Sequence, residues 1–275
     1  MNNIIDGKLV RDKIKNDLIE KIKKLDKKLT LVVISVGNDP ASKIYVNQKE
    51  KMATSIGYNF INMHYDEIEE DDLIEKIKKL NSDSTITGII IQLPLPSNLN
   101  KEKIINTIDP LKDVDGLTNA NLLKLIKKEE TLIPCTPKGI LSLIDYYNIS
   151  IEKNIVIVGR SELVGFPLFH LLLNRNATVT LCHSKTKNLD ELTKNADILI
   201  VAVGKKDLIT KNMIKKDSVI IDVGINRVND KIYGDVSSDC STIASLITPV
   251  PGGVGPMTVI SLMENVYLAY QEQTK

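Results

Sequence analysis

The sequence predicts an α/β protein built from two αβ domains. Short runs of apolar, β-branched residues recur along the chain, and segments with helical spacing separate them. One of these runs, NIVIVG at 154–159, leads directly into a glycine-containing turn and a further helical segment. A chain of 275 residues is long enough for about two domains.

The first domain is predicted over residues 1–119. Apolar residues from Val10 to Leu25 recur at three- and four-residue steps, which predicts a helix. Further on, the pattern predicts strands at 31–36, 58–64 and 86–92 and helices at 42–56 and 69–80. Because continuous apolar strands alternate with helices, we expect a parallel sheet that is buried on both faces.

The second domain is predicted over residues 120–256, because the periodicity lapses around 109–136. Thr136 and Pro137 are expected as the N-cap and first residue of a new helix. The remaining strands are predicted at 154–159, 177–182, 196–204 and 218–224, and a C-terminal helix at 257–275 is predicted to complete the first domain.

The composition excludes several classes of protein. A net charge of +1 gives no electrostatic footprint for nucleic acid or a membrane surface, and no apolar run approaches the ~18 residues of a membrane span. Three scattered cysteines do not make a disulfide framework, and three distant histidines show no metal-binding pattern. Since the N-terminus also resembles neither a signal nor a transit peptide, we expect a cytoplasmic protein without a metal.

The turn after NIVIVG is a candidate nucleotide site. The dinucleotide fingerprint G-x-G-x-x-G is present only as a variant, with Gly159, Ser161 and Val164 at its three glycine positions and Gly165 one place later. Such a turn offers backbone N–H groups and a helix N-terminus, which both favour bound phosphate. An ordinary strand-to-helix turn remains the alternative.

The residues after the next strand distinguish NADP from NAD. An NAD site places a carboxylate about 20 residues beyond the glycine turn, but CHSKT at 182–186 contains none. A 2′-phosphate favours cations and hydroxyl groups instead, and Arg160, one of the few arginines in a lysine-rich chain, lies on the turn itself. We therefore expect NADP.

A lysine on an apolar helix face is the first candidate for the substrate site. Tyr45, Lys49, Met52 and Ile56 fall at i, i+4, i+7 and i+11, so they share one face of the predicted helix. The ordinary explanation is that the stem of Lys49 packs on the protein and its ammonium reaches water. If the amine is instead desolvated in a cleft, its pKa falls and it can exchange protons.

Three further segments are candidates for ligand contact. Gln92 ends the predicted strand GIIIQ, at the edge where open αβ sheets bind ligands, although a satisfied core amide is equally compatible. Asp113 and Asp115 precede Gly116 in KDVDG, where a simple Asx turn is the alternative. The loop TPVPGGVGPMT combines stiffness with glycines that allow close approach to a flat ligand.

Eight motifs, in order, resemble the bifunctional methylenetetrahydrofolate dehydrogenase/methenyltetrahydrofolate cyclohydrolase family. They are VGNDPASKIYVNQK, IQLPLP, KDVDGL, PCTPKG, GRSELVG, CHSKT, IDVGIN and TPVPGGVGPMT. The resemblance implies two αβ domains with a cleft between them, the C-terminal one Rossmann-type, in a homodimer. It implies that 5,10-methylenetetrahydrofolate is oxidised with NADP and that the methenyl product is hydrolysed to 10-formyltetrahydrofolate.

The same resemblance assigns roles to individual residues. Lys49 matches the catalytic lysine, Gln92 the residue that tunes it, and Asp115 the carboxylate that grips the pterin ring. The other residues expected at the folate are Tyr45, Ile91, Leu93, Pro251, Gly252, Gly253, Val254 and Gly255. Those expected at NADP are Gly159, Arg160, Ser161, Ser184 and Ile225.

Two rival functions fit parts of the sequence. A different two-domain NADP oxidoreductase, similar to shikimate dehydrogenase, would share the layout but has no reason to carry both YVNQK and PGGVGP. A catalytically idle NADP-binding module would keep GRSELVG and CHSKT but lose Lys49, Gln92 or Asp115, and all three are present.

Overall fold

The chain divides into two compact α/β units in a computed structural model that describes residues 3–229 and 231–275. The three-stranded unit comprises Lys13–Cys135 and Val259–Lys275. The five-stranded unit comprises an N-terminal segment that ends at Asp12 together with Thr136–Thr258. Among the described residues, no helix combines the length and apolar character needed to cross a bilayer.

The three-stranded unit is a parallel sheet of order β2-β1-β3 with helices between the strands. Its elements are α1 Gly7–Ile22, β1 Thr30–Val36, α2 Pro40–Ile56, β2 Asn59–Tyr65, α3 Glu70–Ser82, β3 Gly88–Ile91, α4 Lys101–Ile105 and α5 Asn119–Ile126. The first turns of α1, before Lys13, are assigned to the five-stranded unit. The predicted domain boundary at 119 and 120 falls at the start of α5.

Burial of the sheet differs between its strands. Every residue of β1 and β3 is buried, as the continuous apolar runs predict. The prediction of burial on both faces is wrong for β2, whose residues are all exposed or half-buried. Because β2 pairs only with β1, it is an edge strand, and Ile61 on it is 41% exposed.

The helix predicted over 42–56 is confirmed as α2. Its start is capped by Asp39, whose carboxylate accepts a hydrogen bond from the Ser42 N–H at 2.7 Å, and Pro40 occupies the first turn. It ends at Gly57, which takes the left-handed conformation with φ 105° that glycine adopts without strain. These signals fix the face on which Tyr45 and Lys49 lie.

The five-stranded unit is a parallel sheet of order β10-β7-β6-β4-β5. Because β5 pairs with one side of β4 and β6 with the other, the strand order reverses beside β4, where open sheets bind ligands. The elements are α6 Cys135–Tyr146, β4 Asn154–Val158, α7 Gly165–Asn174, β5 Thr178–Cys182, α8 Leu189–Lys194, β6 Ile198–Val201, β7 Val219–Asp222, β8 Asn226–Val228, β9 Lys231–Tyr233, β10 Leu246–Ile247 and α9 Val254–Gln273, which ends beyond Thr258.

Two details of this unit differ from the sequence-based expectations. The helix α6 begins at Cys135, so Thr136 lies inside its first turn rather than at the N-cap, and its hydroxyl instead lies 3.0 Å from that of Thr258. The N-terminal segment also belongs to this unit, because Ile5 donates a hydrogen bond from its backbone to the Ile247 carbonyl at 2.8 Å. A hydrogen bond between residues so far apart in sequence cannot be predicted from local sequence patterns.

Candidate active site

Lys49 lies on α2 in the three-stranded unit, and its amine is withdrawn from water. The residue as a whole is half-buried, and the surrounding protein shields its amine from water. Burial lowers the pKa of Lys49 below its usual value, and interactions with Asp115 and Cys135 oppose that shift without reversing it. The amine is therefore closer to its neutral form than that of a surface lysine.

Gln92 is the hydrogen-bond partner of this amine. The Lys49 Nζ donates to Gln92 Oε1 at 2.8 Å. The other end of the amide is fixed, because Gln92 Nε2 donates to the Leu93 carbonyl at 2.7 Å. The Gln92 backbone N–H continues the sheet by donating to the Ile34 carbonyl at 2.8 Å. A neutral acceptor thus holds the lysine in place without adding a charge that would keep it protonated.

Asp115 lies near Lys49 in the loop after β3, and α9 anchors that loop. The buried Asn265 donates from Nδ2 to the carbonyls of Val114 and Ile133, at 2.9 Å each. Gly116 follows with φ 68°, and a Cβ there would lie 2.6 Å from the Ile133 carbonyl carbon. The half-buried Asp115 carboxylate is therefore held on a rigid loop.

The other aspartate of KDVDG has a structural role. Asp113 is buried and accepts hydrogen bonds from the Thr118 N–H at 2.7 Å and from Asn121 Nδ2 at 2.9 Å. Burial raises the pKa of Asp113 in spite of these bonds. Asp113 therefore holds the loop through donors five and eight residues later, which is not an Asx turn, whereas Asp115 is the aspartate of this motif that interacts with Lys49.

The neighbouring positions complete the candidate folate site in this unit. Tyr45 is half-buried one helical turn before Lys49, Ile91 is buried at the end of β3, and Leu93 is half-buried. Cys135 was not predicted as a site residue, although it interacts electrostatically with Lys49 and its thiol donates to the Val114 carbonyl at 3.4 Å. The one sequence feature that could have indicated a site role for Cys135 is its position in the PCTP motif.

The glycine turn of the five-stranded unit is tightly packed. Gly159 has φ 121°, and a Cβ there would lie 2.2 Å from the Ala202 carbonyl oxygen. A Cβ on Gly165, the first residue of α7, would lie 1.8 Å from the Gly159 carbonyl oxygen. Ser161 turns the chain by accepting the Val164 N–H on its hydroxyl at 3.2 Å. Gly165 thus lets α7 pack closely against the turn after β4, which is the role of the third glycine of the fingerprint, where this chain has Val164.

The residues predicted for the nucleotide lie at the carboxyl edge of this sheet. Arg160 follows β4 and Ser184 follows the paired strand β5, and both are exposed. A turn holds Ser184 in place, since the His183 N–H donates to the Thr186 hydroxyl at 2.9 Å. Ile225 follows β7 and is 42% exposed. A cation, a hydroxyl group and an apolar side chain at one sheet edge suit a phosphorylated dinucleotide.

The predicted loop at 251–255 belongs to the five-stranded unit and begins after a cis Val250–Pro251 bond. Gly252 has φ 115°. A Cβ on Gly253 would lie 2.6 Å from the Thr248 Cβ, so this position excludes side chains. Gly255 is exposed at the start of α9, with no atom within 4 Å of a Cβ built there. The loop therefore presents bare backbone at a helix N-terminus.

Two family models match successive parts of the chain. The catalytic domain of tetrahydrofolate dehydrogenase/cyclohydrolase matches residues 5–115, and the NAD(P)-binding domain of the same enzymes matches residues 134–274. The chain belongs to this tetrahydrofolate dehydrogenase/cyclohydrolase family. The matches confirm the predicted resemblance, the two-domain α/β fold class and the enzyme class.

Individual members of the tetrahydrofolate dehydrogenase/cyclohydrolase family match over nearly their full length. The chain is 50% identical to the bifunctional protein FolD of Ligilactobacillus salivarius, over 95% of this chain and 94% of that protein. It is 49% identical to bifunctional protein FolD 2 of Lactobacillus johnsonii, over 99% of each. Both relatives are named as bifunctional proteins.

Solved structures of the family agree with this assignment. The FolD structure from Campylobacter jejuni matches with a TM-score of 0.96 and 41% identity, over 98% of this chain and 99% of that one. A Trypanosoma brucei FolD, complexed with NADP and an inhibitor, matches with a TM-score of 0.94 and 30% identity, over 99% and 98%. Shikimate dehydrogenase from Thermus thermophilus shares only the fold, at 13% identity and a TM-score of 0.54.

Proposed function

We propose that the chain oxidises 5,10-methylenetetrahydrofolate with NADP and hydrolyses the methenyl product to 10-formyltetrahydrofolate, with Lys49 as the group that transfers protons. The observation that carries the assignment to Lys49 is its 2.8 Å hydrogen bond to Gln92 in a site where burial lowers the lysine pKa. Family membership supports both reactions.

The cofactor is expected at the carboxyl edge of the five-stranded sheet. Gly159 and Ser161 would approach the phosphates, Arg160 and Ser184 would bind the 2′-phosphate, and Ile225 would contact the dinucleotide. When bound there, NADP accepts the hydride that leaves the carbon between N5 and N10 of the folate. The absence of a carboxylate from 182–186 favours NADP over NAD.

A neutral Lys49 suits the product of the first reaction. Loss of hydride leaves a methenyl cation, and a permanent positive charge beside it would be repelled. In hydrolysis, water adds to the methenyl carbon while the amine of Lys49 accepts one of its protons. The resulting ammonium then returns a proton to N5 as the bond between N5 and the carbon breaks, and the hydroxyl group on that carbon releases its proton to solvent, which leaves the formyl group on N10.

Gln92 and Asp115 would act on different parts of this process. Gln92 is proposed to position and tune the amine, because its own amide is fixed by the Leu93 carbonyl. Asp115 is proposed to bind the pterin ring through its carboxylate. Tyr45, Ile91 and Leu93 are proposed to contact the substrate, as is the loop of Pro251, Gly252, Gly253, Val254 and Gly255.

The test is an assay of both half-reactions. The purified protein should form NADPH when given 5,10-methylenetetrahydrofolate and NADP, and should convert added methenyltetrahydrofolate to the 10-formyl product without any nucleotide. Comparison with buffer alone corrects for spontaneous hydrolysis. NADPH formation without accelerated hydrolysis would reduce the proposal to a dehydrogenase, and absence of both would refute it.

We also propose that the protein is a cytoplasmic homodimer. The edge strand β2 supports pairing between copies, because its outer backbone edge and Ile61 are exposed and a second β2 offers the same surface. The three cysteines are buried and form no disulfide in the described part of the chain, which fits a reducing compartment. Sedimentation velocity should give the mass of a dimer, and an Ile61→Lys substitution should shift it towards the monomer.

A further inference from the structure

Asp235 is a fully buried carboxylate, and two loops share its oxygens. Its Oδ2 accepts the backbone N–H groups of Val203 and Gly204, at 2.7 and 3.0 Å. Its Oδ1 accepts the Lys205 N–H at 2.7 Å and Asn226 Nδ2 at 2.9 Å. Three consecutive amides therefore point at one side chain that lies 30 to 32 positions later in sequence.

The loops that Asp235 holds follow adjacent strands at the ligand-binding edge of the sheet. The loop Val203–Lys205 follows β6, and Ile225 with Asn226 follows β7, which pairs with β6. Val203 is 41% exposed there, which is close to the exposure of Ile225. The residue just before Val203 is Ala202, whose carbonyl packs against Gly159 of the nucleotide turn.

A second buried carboxylate orients the segment that carries Asp235. Asp222 Oδ1 accepts the Asp235 N–H and Asp222 Oδ2 accepts the Val236 N–H, both at 3.0 Å. The packing leaves no room for side chains nearby. A Cβ on Gly234 would lie 1.8 Å from Asp222 Oδ2, and a Cβ on Gly224 would lie 2.1 Å from the Asp235 carboxyl carbon. Both carboxylates are therefore closely packed at the carboxyl edge of the five-stranded sheet.

Burial of two carboxylates is unfavourable unless hydrogen bonds compensate for the lost hydration. For Asp235 the compensating donors follow β6 and β7, so its buried charge and the conformations of those two segments depend on each other. All four groups that face Asp235 are donors, and only a carboxylate accepts on both oxygens. An asparagine would place an NH₂ group against two of them.

We propose that Asp235 is a positioning residue for the cofactor, which fixes the loop Val203–Lys205 and, through Asn226, Ile225 in the conformation that binds the dinucleotide. The inference rests on the proposed NADP site and adds a residue that does not touch the ligand. It predicts that loss of the carboxylate weakens NADP binding while hydrolysis at Lys49 and Gln92, which lie on the three-stranded unit, is kept.

The experiment measures NADP binding by isothermal titration calorimetry and hydrolysis of methenyltetrahydrofolate without nucleotide. We expect Asp235→Asn to raise the NADP Kd about 10- to 100-fold, the equivalent of one hydrogen bond to a charged group, with kcat/KM for hydrolysis within about twofold of wild type. Asp113→Asn alters a buried carboxylate of the three-stranded unit and should leave the NADP Kd unchanged. Asn226→Ala removes one donor only and should raise the NADP Kd about threefold or more.

The outcomes separate this inference from the proposed function. If wild type does not bind NADP, the proposed cofactor is wrong. If wild type binds NADP and folded Asp235→Asn binds it equally well, the positioning role is refuted. Parallel loss of hydrolysis and NADP binding in Asp235→Asn would indicate a general structural role and also overturn it. If Asp235→Asn does not fold, an unchanged NADP Kd in Asn226→Ala decides against the inference.

Discussion

The amine of Lys49 and the amide of Gln92 meet at 2.8 Å, one from the middle of α2 and the other from the end of β3. The pair joins a helix to the carboxyl edge of a parallel sheet. Because the amide carries no charge, it orients the lysine without stabilising the ammonium as a carboxylate would. This relationship is the physical basis for proton transfer in the proposed hydrolysis.

Replacement of the lysine should abolish hydrolysis with the fold intact. We expect Lys49→Met to lower the cyclohydrolase kcat by about 10²- to 10⁴-fold, the usual contribution of a general acid–base group. The matched control is Lys51→Met, which alters an exposed lysine on the same helix and should have little effect. Stopped-flow hydrolysis of methenyltetrahydrofolate measures both variants, and near wild-type turnover in Lys49→Met would exclude the proposed role.

A charge placed at Gln92 should move the pH profile. In Gln92→Glu a carboxylate would face the amine, stabilise the ammonium and raise the pKa of Lys49. The acid limb of kcat/KM for hydrolysis should therefore shift to higher pH. Gln92→Met removes the hydrogen bond without adding charge and should not produce this upward shift. A Gln92→Glu profile that coincides with wild type would contradict the coupling.

Removal of the arginine on the nucleotide turn should change cofactor preference. We expect Arg160→Ala to raise the KM for NADP about tenfold or more, with a much smaller change for NAD, because only NADP offers a 2′-phosphate to the guanidinium. Arg227→Ala, at another exposed arginine of this unit, is the control. Equal increases for NADP and NAD would remove the specificity argument.

The buried acid of β7 should make stability depend on pH. Burial raises the pKa of Asp222 from its usual 3.8 to about 6, so the folded state binds this proton more tightly than the unfolded state. Its contribution to the free energy of unfolding is therefore greatest below pH 3.8, falls by about 3 kcal/mol as pH rises to about 6, and is constant above.

Urea unfolding of wild type and Asp222→Asn between pH 3.5 and 7 tests this linkage. Other acids titrate in both proteins, so the informative quantity is the difference between their free energies of unfolding. That difference should change across the stated window and level off above about pH 6. A difference that is independent of pH would show that Asp222 titrates alike in the folded and unfolded states.

Local patterns predicted the elements that carry the candidate site. The spacing of Tyr45 and Lys49 and the cap signals around α2 determine one helix face, and the apolar run before Gln92 determines a buried strand. The family resemblance then supplied roles that spacing alone left open.

Contacts distant in sequence could not be predicted in this way. Both β2 and β3 lie at edges of the sheet, yet only β2 is exposed, and no periodicity in the sequence records that difference. The carboxylate of Asp235 interacts with amides about 30 residues earlier, and its sequence context, YGDV, resembles an ordinary turn. Asn265 likewise reaches the loop of Asp115 from the far end of the chain. Such contacts depend on tertiary packing rather than on local propensity.

The most direct test of the central claim is the pKa of Lys49 itself. Lysine labelled with ¹³C at Cε reports protonation by its chemical shift, and comparison with Lys49→Met assigns the signal. Because burial lowers the pKa of Lys49, this lysine should lose its proton at a pH below the ordinary lysine pKa. A chemical shift showing that Lys49 stays protonated up to the usual lysine pKa would contradict the proposed mechanism.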